Sequence, residues 1–94
     1  MIRLNAFFKV KEGVTTAQVK ALADELVELS RKDEGNKGYD LFESATQSDV
    51  FMFCETWENK LCLARHARSD HFTRIVPEIE KLTDGGLSIE QFER

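Results

Sequence analysis

The sequence predicts an α+β domain in which an antiparallel sheet carries helices on one face. Two kinds of observation predict it: apolar residues alternate at period two near the start, middle and end of the chain, and two longer stretches between them repeat at the helical period. "IRLNAFFKV", residues 2–10, puts Ile2, Leu4, Ala6, Phe8 and Val10 on one side before "KEG" ends the run, the pattern of a strand. In "TTAQVKALADELVELSRKDEG", Thr15 and Gln18 fit a capping box. Val19, Leu22, Ala23, Leu26 and Leu29 then share one helical face, with Gly35 or Gly38 near its end. "YDLFES" and "VFMFCETW" are two β-prone runs joined by "ATQSD", the length of a hairpin loop. Asn59 is placed to cap a helix through about Ala67, and "SDHFTRIVPEIEKL" aligns Phe72, Ile75, Val76, Ile79 and Leu82 on one face. Pro77 falls among those positions and predicts a kink or restart there. "DGG" is a turn, and "LSIEQFER" alternates as a last strand.

The predicted order is β-α-β-β-α-β, the split arrangement of ferredoxin-like folds, in one domain of residues 1–94. The third strand adds a constraint. Val50, Met52 and Cys54 point one way and Phe51, Phe53 and Trp57 the other, so both faces are apolar. Helices cover one face; the other needs a partner, and two such sheets packed together would form a dimeric α+β barrel. The alternation leaves open which face meets the partner. If it is the Phe51 face, a charge at Phe51 would give a monomer or an insoluble chain.

A chain of 94 residues buries only part of the surface its unfolded form exposes, which also favours association. With 41% hydrophobic and 32% charged residues the composition is that of a soluble globular protein. No apolar run approaches the roughly 20 residues of a spanning helix, and "MIRLNAFFKV" lacks the features of a signal peptide, so neither membrane insertion nor secretion is expected and a cytoplasmic location is. The net charge of -4, with basic residues scattered among acids, argues against nucleic acid. Cys54 and Cys62 match no metal-ligand series and read as free thiols, with Cys54 a small buried apolar residue.

There is no GxSxG elbow, no GxGxxG and no P-loop, so neither serine-type nucleophilic catalysis nor a nucleotide cofactor is expected. A metal is not expected either: on one continuous helix the five-residue spacing of His66 and His71 sets their side chains about 140° apart, and if the helix breaks the sequence offers nothing that joins them. His66 and Asp70 do have the spacing of four that allows an ion pair or an oriented imidazole. What remains is a small pocket between sheet and helices. Trp57, Tyr39 and Phe53 are candidate walls, though core packing or an interface is the commoner role for a tryptophan, and Glu55, Asn36, His66 and His71 are candidate polar contacts.

"SRKDEGNKGYDLF" followed by "FMFCETWENKLCLARHARSDHF" resembles the antibiotic-biosynthesis monooxygenase-like proteins, whose pattern is S-R-x-E-x-G-x-x-x-Y, a strand ending E-x-W, then H-x-x-S-x-H-F. Ser30, Arg31, Glu34, Gly38 and Tyr39 fit the first part with one or two residues of slack; Glu55, Trp57, His66, Ser69, His71 and Phe72 fit the second in full. The resemblance implies a ferredoxin-like homodimer and, for some members, oxidation of quinols, anthrones or related phenols by molecular oxygen without metal or flavin. It makes His66 the expected base or hydrogen-bonding group, with Trp57 and Tyr39 holding the ring. Phe53 stands where the anthrone-oxidising branch has asparagine, and Val76 where haem-degrading relatives have histidine, so haem chemistry is not expected. A non-catalytic dimer that binds a small aromatic or hydrophobic molecule, and an isomerase of a small carbonyl or sugar-phosphate compound, are the alternatives. Glu55 could also serve the fold alone, by pairing with Arg31 or capping a helix.

Overall fold

The computed structural model describes residues 1–94. In chain order the elements are β1 (Ile2–Lys9), α1 (Thr16–Ser30), β2 (Asn36–Glu43), β3 (Val50–Trp57), α2 (Lys60–Ala67), α3 (Asp70–Lys81) and β4 (Ser88–Glu93). The strands pair antiparallel in the order β2-β3-β1-β4, the ferredoxin-like sheet that the alternating runs predict. The expected local signals set the boundaries. Thr15 accepts from the Gln18 N–H while its own N–H donates to the Gln18 side chain, Asn59 accepts from Cys62 N–H at 2.9 Å, and Ser44 N–H donates to the Val50 carbonyl at 2.9 Å to close the hairpin.

The second helical region follows expectation in its first part and departs at Pro77: the helix capped by Asn59 ends at Ala67, and α3, which starts at Asp70, continues through Pro77 instead of restarting there. Ser69 sets the break between the two helices: its hydroxyl accepts from Phe72 N–H at 3.2 Å and donates to the His66 carbonyl at 2.7 Å, satisfying the end of one helix and the start of the next. Pro77 removes one donor from a helix anchored on both sides of it by the buried Ile75, Val76 and Ile79.

The helices cover the sheet face that carries Phe8 of β1, Tyr39 of β2 and Phe51, Phe53, Glu55 and Trp57 of β3, all buried. Phe51 therefore belongs to the core, stacked on Phe8 with centroids 5.4 Å apart, and a charge there would unfold the chain rather than probe an interface. The uncovered face carries a cross-strand row of Phe42, Met52 and Phe7. Phe42 is 49% exposed there, and Phe92 on the neighbouring β4 is 50% exposed. Cys54 lies on this face too, half-buried, with Arg3 Nη2 donating to its Sγ at 2.8 Å, instead of being enclosed as a small apolar residue.

Candidate functional site

The break between α2 and α3 governs the site. It lets His66, near the end of α2, and His71, at the start of α3, lean toward one side chain, Asp33, in the turn that follows α1. That turn is tight: Asp33 N–H donates to the Ser30 carbonyl and Asn36 N–H to the Asp33 carbonyl, both at 3.1 Å, and Gly35 takes φ +77°. Gly35 abuts Cys62 in the first turn of α2, where a Cβ would lie 2.3 Å from Sγ. Asp33 Oδ2 is 2.8 Å from His66 Nδ1 and 2.8 Å from His71 Nε2.

A carboxylate oxygen can only accept, so both contacting nitrogens carry protons. His66 is thereby fixed as the Nδ1–H tautomer, and its Nε2 keeps a bare lone pair; that atom is buried and has no hydrogen-bond partner. The ring, 2% exposed, is clamped by Trp57 at 4.6 Å between centroids, Phe72 at 5.1 Å and Tyr39 at 5.5 Å. Burial pushes its pKa down, against the hydrogen bond and charge of Asp33, with His71 adding to the depression. The neutral imidazole is the resting form.

His66 forms part of the wall of a cavity of about 260 Å³ between sheet and helices, together with Tyr39, Phe53, Glu55 and the apolar side chains of Leu26, Phe72 and Val76. That volume lies between the ~150 Å³ that admits benzene and the ~300 Å³ at which drug-sized pockets begin, so it suits one or two fused rings. Apart from His66, the polar side chains in its wall are Tyr39 and Glu55. Burial raises the Tyr39 phenol, with the Glu55 charge adding to it. Burial also drives Glu55 from 4.5 to about 7, with the Trp57 indole and the Tyr39 hydroxyl opposing.

Glu55 yields a prediction of stability against pH. A carboxyl whose pKa rises on folding holds its proton better in the folded state, so folding weakens as pH climbs from about 4.5 to about 7. The full difference is roughly 3 kcal/mol. His66, depressed on folding, slopes the opposite way near its ordinary 6.5, and Tyr39 ionises far above this window. The other cavity-facing groups, on β1, α1 and α3, are apolar. Glu55→Gln isolates the effect: urea titrations at pH 5 and pH 8 should show the variant losing less stability than the parent over that interval, and parallel losses would refute the raised pKa.

The sequence-predicted residues divide. Tyr39, Phe53, Glu55 and His66 converge on the cavity. Trp57 stands behind it, fully buried, donating Nε1–H to Glu55 Oε1 at 3.0 Å. Glu55 accordingly pairs with neither Arg31, which donates to the Tyr39 carbonyl at 2.8 Å, nor a helix end. His71 does not line the cavity; it reaches the site through Asp33 and by packing its ring 5.8 Å from that of His66, centroid to centroid. Asn36 is not brought to it: its amide donates to the Gly38 carbonyl at 3.1 Å, and it lines a separate depression with Arg3, Lys37 and Cys54. Asp70, the expected helical partner of His66, has a side chain 95% exposed and lies 3.8 Å from Arg74.

Asp33 is the residue that sequence reasoning missed, although the signal was present. Ser30, Arg31, Asp33, Gly35 and Tyr39 match the first motif without slack once Asp is accepted for Glu. Glu34, one position beyond, meets Arg65 at the surface at 2.7 Å, and the spacing makes Gly35 rather than Gly38 the motif glycine.

A family model described as "Antibiotic biosynthesis monooxygenase" matches residues 1–78. The Bacillus subtilis protein named "Putative monooxygenase YcnE" is 33% identical over 89 residues, covering 95% of this chain and 93% of that protein. A solved structure from Bacteroides thetaiotaomicron, described as a conserved protein of unknown function and "Possible Oxidoreductase", superposes with TM-score 0.90 at 43% identity, covering 99% of this chain and 96% of that one. Another, described as an antibiotic biosynthesis monooxygenase, gives TM-score 0.92 at 29% identity over 100% and 98% of the two chains. No helix is long and apolar enough to cross a membrane.

Proposed function

This chain belongs to the antibiotic biosynthesis monooxygenase family, and from that premise we propose that it is a cofactor-independent monooxygenase acting on a small quinol-like or phenolic compound. The observation that carries this reading is the His66 Nε2 lone pair, buried and unpartnered in the wall of a small apolar cavity and oriented through Nδ1 by Asp33. His66 takes the phenolic proton, and the imidazolium that forms is stabilised by Asp33 on its other side. The phenolate is the reductant. It passes one electron to oxygen, the radical pair joins as a carbon peroxide, and proton return from His66 gives a hydroperoxide. Loss of water, with a proton from the same ring carbon, leaves a carbonyl. One oxygen atom stays in the product, the other leaves as water, and the substrate supplies all four electrons, as a ring C–H and the phenolic C–OH both become carbonyls. Tyr39 and Phe53 contact the ring, Glu55 offers a second polar contact, and Trp57 acts from behind by holding the His66 ring and Glu55.

The test is oxygen uptake by EDTA-treated protein with a panel of mono- and bicyclic quinols. Uptake above autoxidation is expected, and His66→Ala should lower it by about 10²- to 10⁴-fold. Uptake that never exceeds autoxidation would sink the reading. Glu55, with a pKa near neutrality beside a neutral base, also favours a second reading, proton transfer next to a carbonyl. That reading predicts carbon-bound deuterium exchange without oxygen use. A sugar phosphate fits poorly, because no Lys or Arg lines the cavity.

The uncovered row of Phe42, Met52 and Phe7 supports a homodimer formed sheet to sheet. Sedimentation of the parent at micromolar concentration should give twice the 10.8 kDa chain mass, and Met52→Asp should give the single-chain mass. A parent that sediments as one chain would refute the dimer.

A further inference from the structure

We propose that Asp33, His66 and His71 form a binding site for a zinc-class divalent cation on the side of His66 away from the cavity, and that an ion held there switches His66 off as a base.

Three donor atoms from the turn after α1, from α2 and from α3 lie within 4.8 Å of one another. Two imidazole nitrogens each stand 2.8 Å from one carboxylate oxygen. Two nitrogens and one oxygen suit zinc, cobalt(II) or iron(II) rather than magnesium or calcium, which prefer oxygen throughout. A tetrahedral ion with bonds of about 2.0–2.2 Å sets its ligand atoms about 3.4 Å apart, so the two 2.8 Å contacts would open and the two nitrogens, which lie within 4.8 Å of each other, would settle at that spacing; three protein ligands leave one position for water. The two protons that face Asp33 would have to leave those nitrogens, so the expected change is a shift in side-chain rotation of about half an ångström with a change of both tautomers.

The cluster is supported from behind and open in front. The rings of Trp57, Tyr39 and Phe72 fix the His66 plane, and Gly35 against Cys62 fixes the turn that carries Asp33. The Asp33 and His71 side chains keep 20% and 14% exposure, which gives an ion an entry path that does not pass through the cavity.

The chemical consequence follows from the imidazole ring. A neutral imidazole ligating through Nδ1 must carry its proton on Nε2, the atom that now keeps a bare, buried lone pair. Occupancy therefore turns an acceptor into a donor without net proton release. This consequence, unlike the binding itself, rests on His66 being the base of the reaction proposed above.

Cobalt(II) is the probe. Titrated into the full-length, EDTA-treated protein, it should bind one ion per chain and develop the visible bands of tetrahedral cobalt; zinc should displace it. Asp33→Asn and His71→Ala should each weaken binding at least tenfold, while Cys54→Ser, which removes a free thiol outside the cluster, should leave it unchanged. If those variants fold poorly, paramagnetic broadening in the parent decides: cobalt must broaden the His66 and His71 ring signals before any others. No saturable binding up to millimolar cobalt, or binding that His71→Ala leaves intact in a folded chain, would overturn the site. Zinc should also inhibit quinol oxidation at the concentration at which it displaces cobalt. Binding without any oxygen uptake would refute the oxygenase reading alone, and oxygen uptake without binding would refute the metal site alone.

Discussion

Trp57→Ala is expected to destabilise the domain by about 5 kcal/mol, on the order of the whole stability of a small protein. Trp57 is fully buried on β3 and packs 4.6 Å from the His66 ring and 6.4 Å from the Tyr39 ring, centroid to centroid. Truncation to alanine in such a core removes roughly 3–5 kcal/mol through lost burial and the cavity left behind. It also strips Glu55 Oε1 of its indole donor, and a buried acceptor without a partner adds roughly 1–3 kcal/mol, eased by protonation of the carboxyl. Trp57→Phe separates the two contributions. It keeps most of the volume, so the loss should fall to about 2 kcal/mol, and Glu55 should titrate still higher because a group that holds it down is gone. Urea unfolding of both variants, with Glu55 followed by carboxyl NMR, checks this. A Trp57→Ala protein within about 1 kcal/mol of the parent would mean that the tryptophan is not part of the core.

Gly35→Ala is expected to remove about 3 kcal/mol and to disconnect Asp33 from the histidines. Left-handed backbone at φ +77° disfavours any residue with a Cβ by roughly 1–2 kcal/mol. The added carbon would also stand 2.3 Å from Cys62 Sγ and 2.7 Å from Cys62 Cβ. The sulfur can rotate away, but the Cys62 Cβ is fixed to the first turn of α2, so the turn holding Asp33 must move. Cys62→Ala in the same chain removes only the sulfur and should restore part of the stability, leaving the backbone penalty and the tighter carbon contact. Thermal unfolding measures the first effect. The second is visible in the nitrogen NMR shifts of His66, which should lose its single Nδ1–H tautomer. Unchanged tautomer signals in Gly35→Ala would show that the turn does not position Asp33.

These two residues illustrate what can be read along a chain and what cannot. Trp57 was identified from its motif, but its alternation with Phe53 and Phe51 says only that it shares their face; that it stands behind the cavity instead of lining it depends on where α2 places His66 above it. His66 and His71 were visible as a pair. The angle between them holds only for a continuous helix; the Ser69 cap breaks that helix, and two short helices aim residues five apart at one carboxylate, Asp33, which the pair's spacing does not point to. Asp33 was the harder case. It lies 33 residues before His66, in a turn whose run "KDE" offers two neighbouring acids with no periodicity to choose between them. Backbone geometry makes the choice, turning Asp33 inward to the histidines and Glu34 outward to Arg65.

The sequence by itself determined the strands and the first helix, the sheet order that follows from connecting them, and the family. These rest on local causes: side-chain period, capping residues and turn residues act within a few positions and survive any rearrangement at longer range. Only the tertiary structure decided which face of β3 the helices cover, which acid orients His66, and that Asn36 lies away from the cavity. Those outcomes depend on distances between groups remote in the chain. Burial, which moves Glu55 toward neutrality and leaves the His66 Nε2 lone pair without a partner, exists only once the sheet and helices have closed over them.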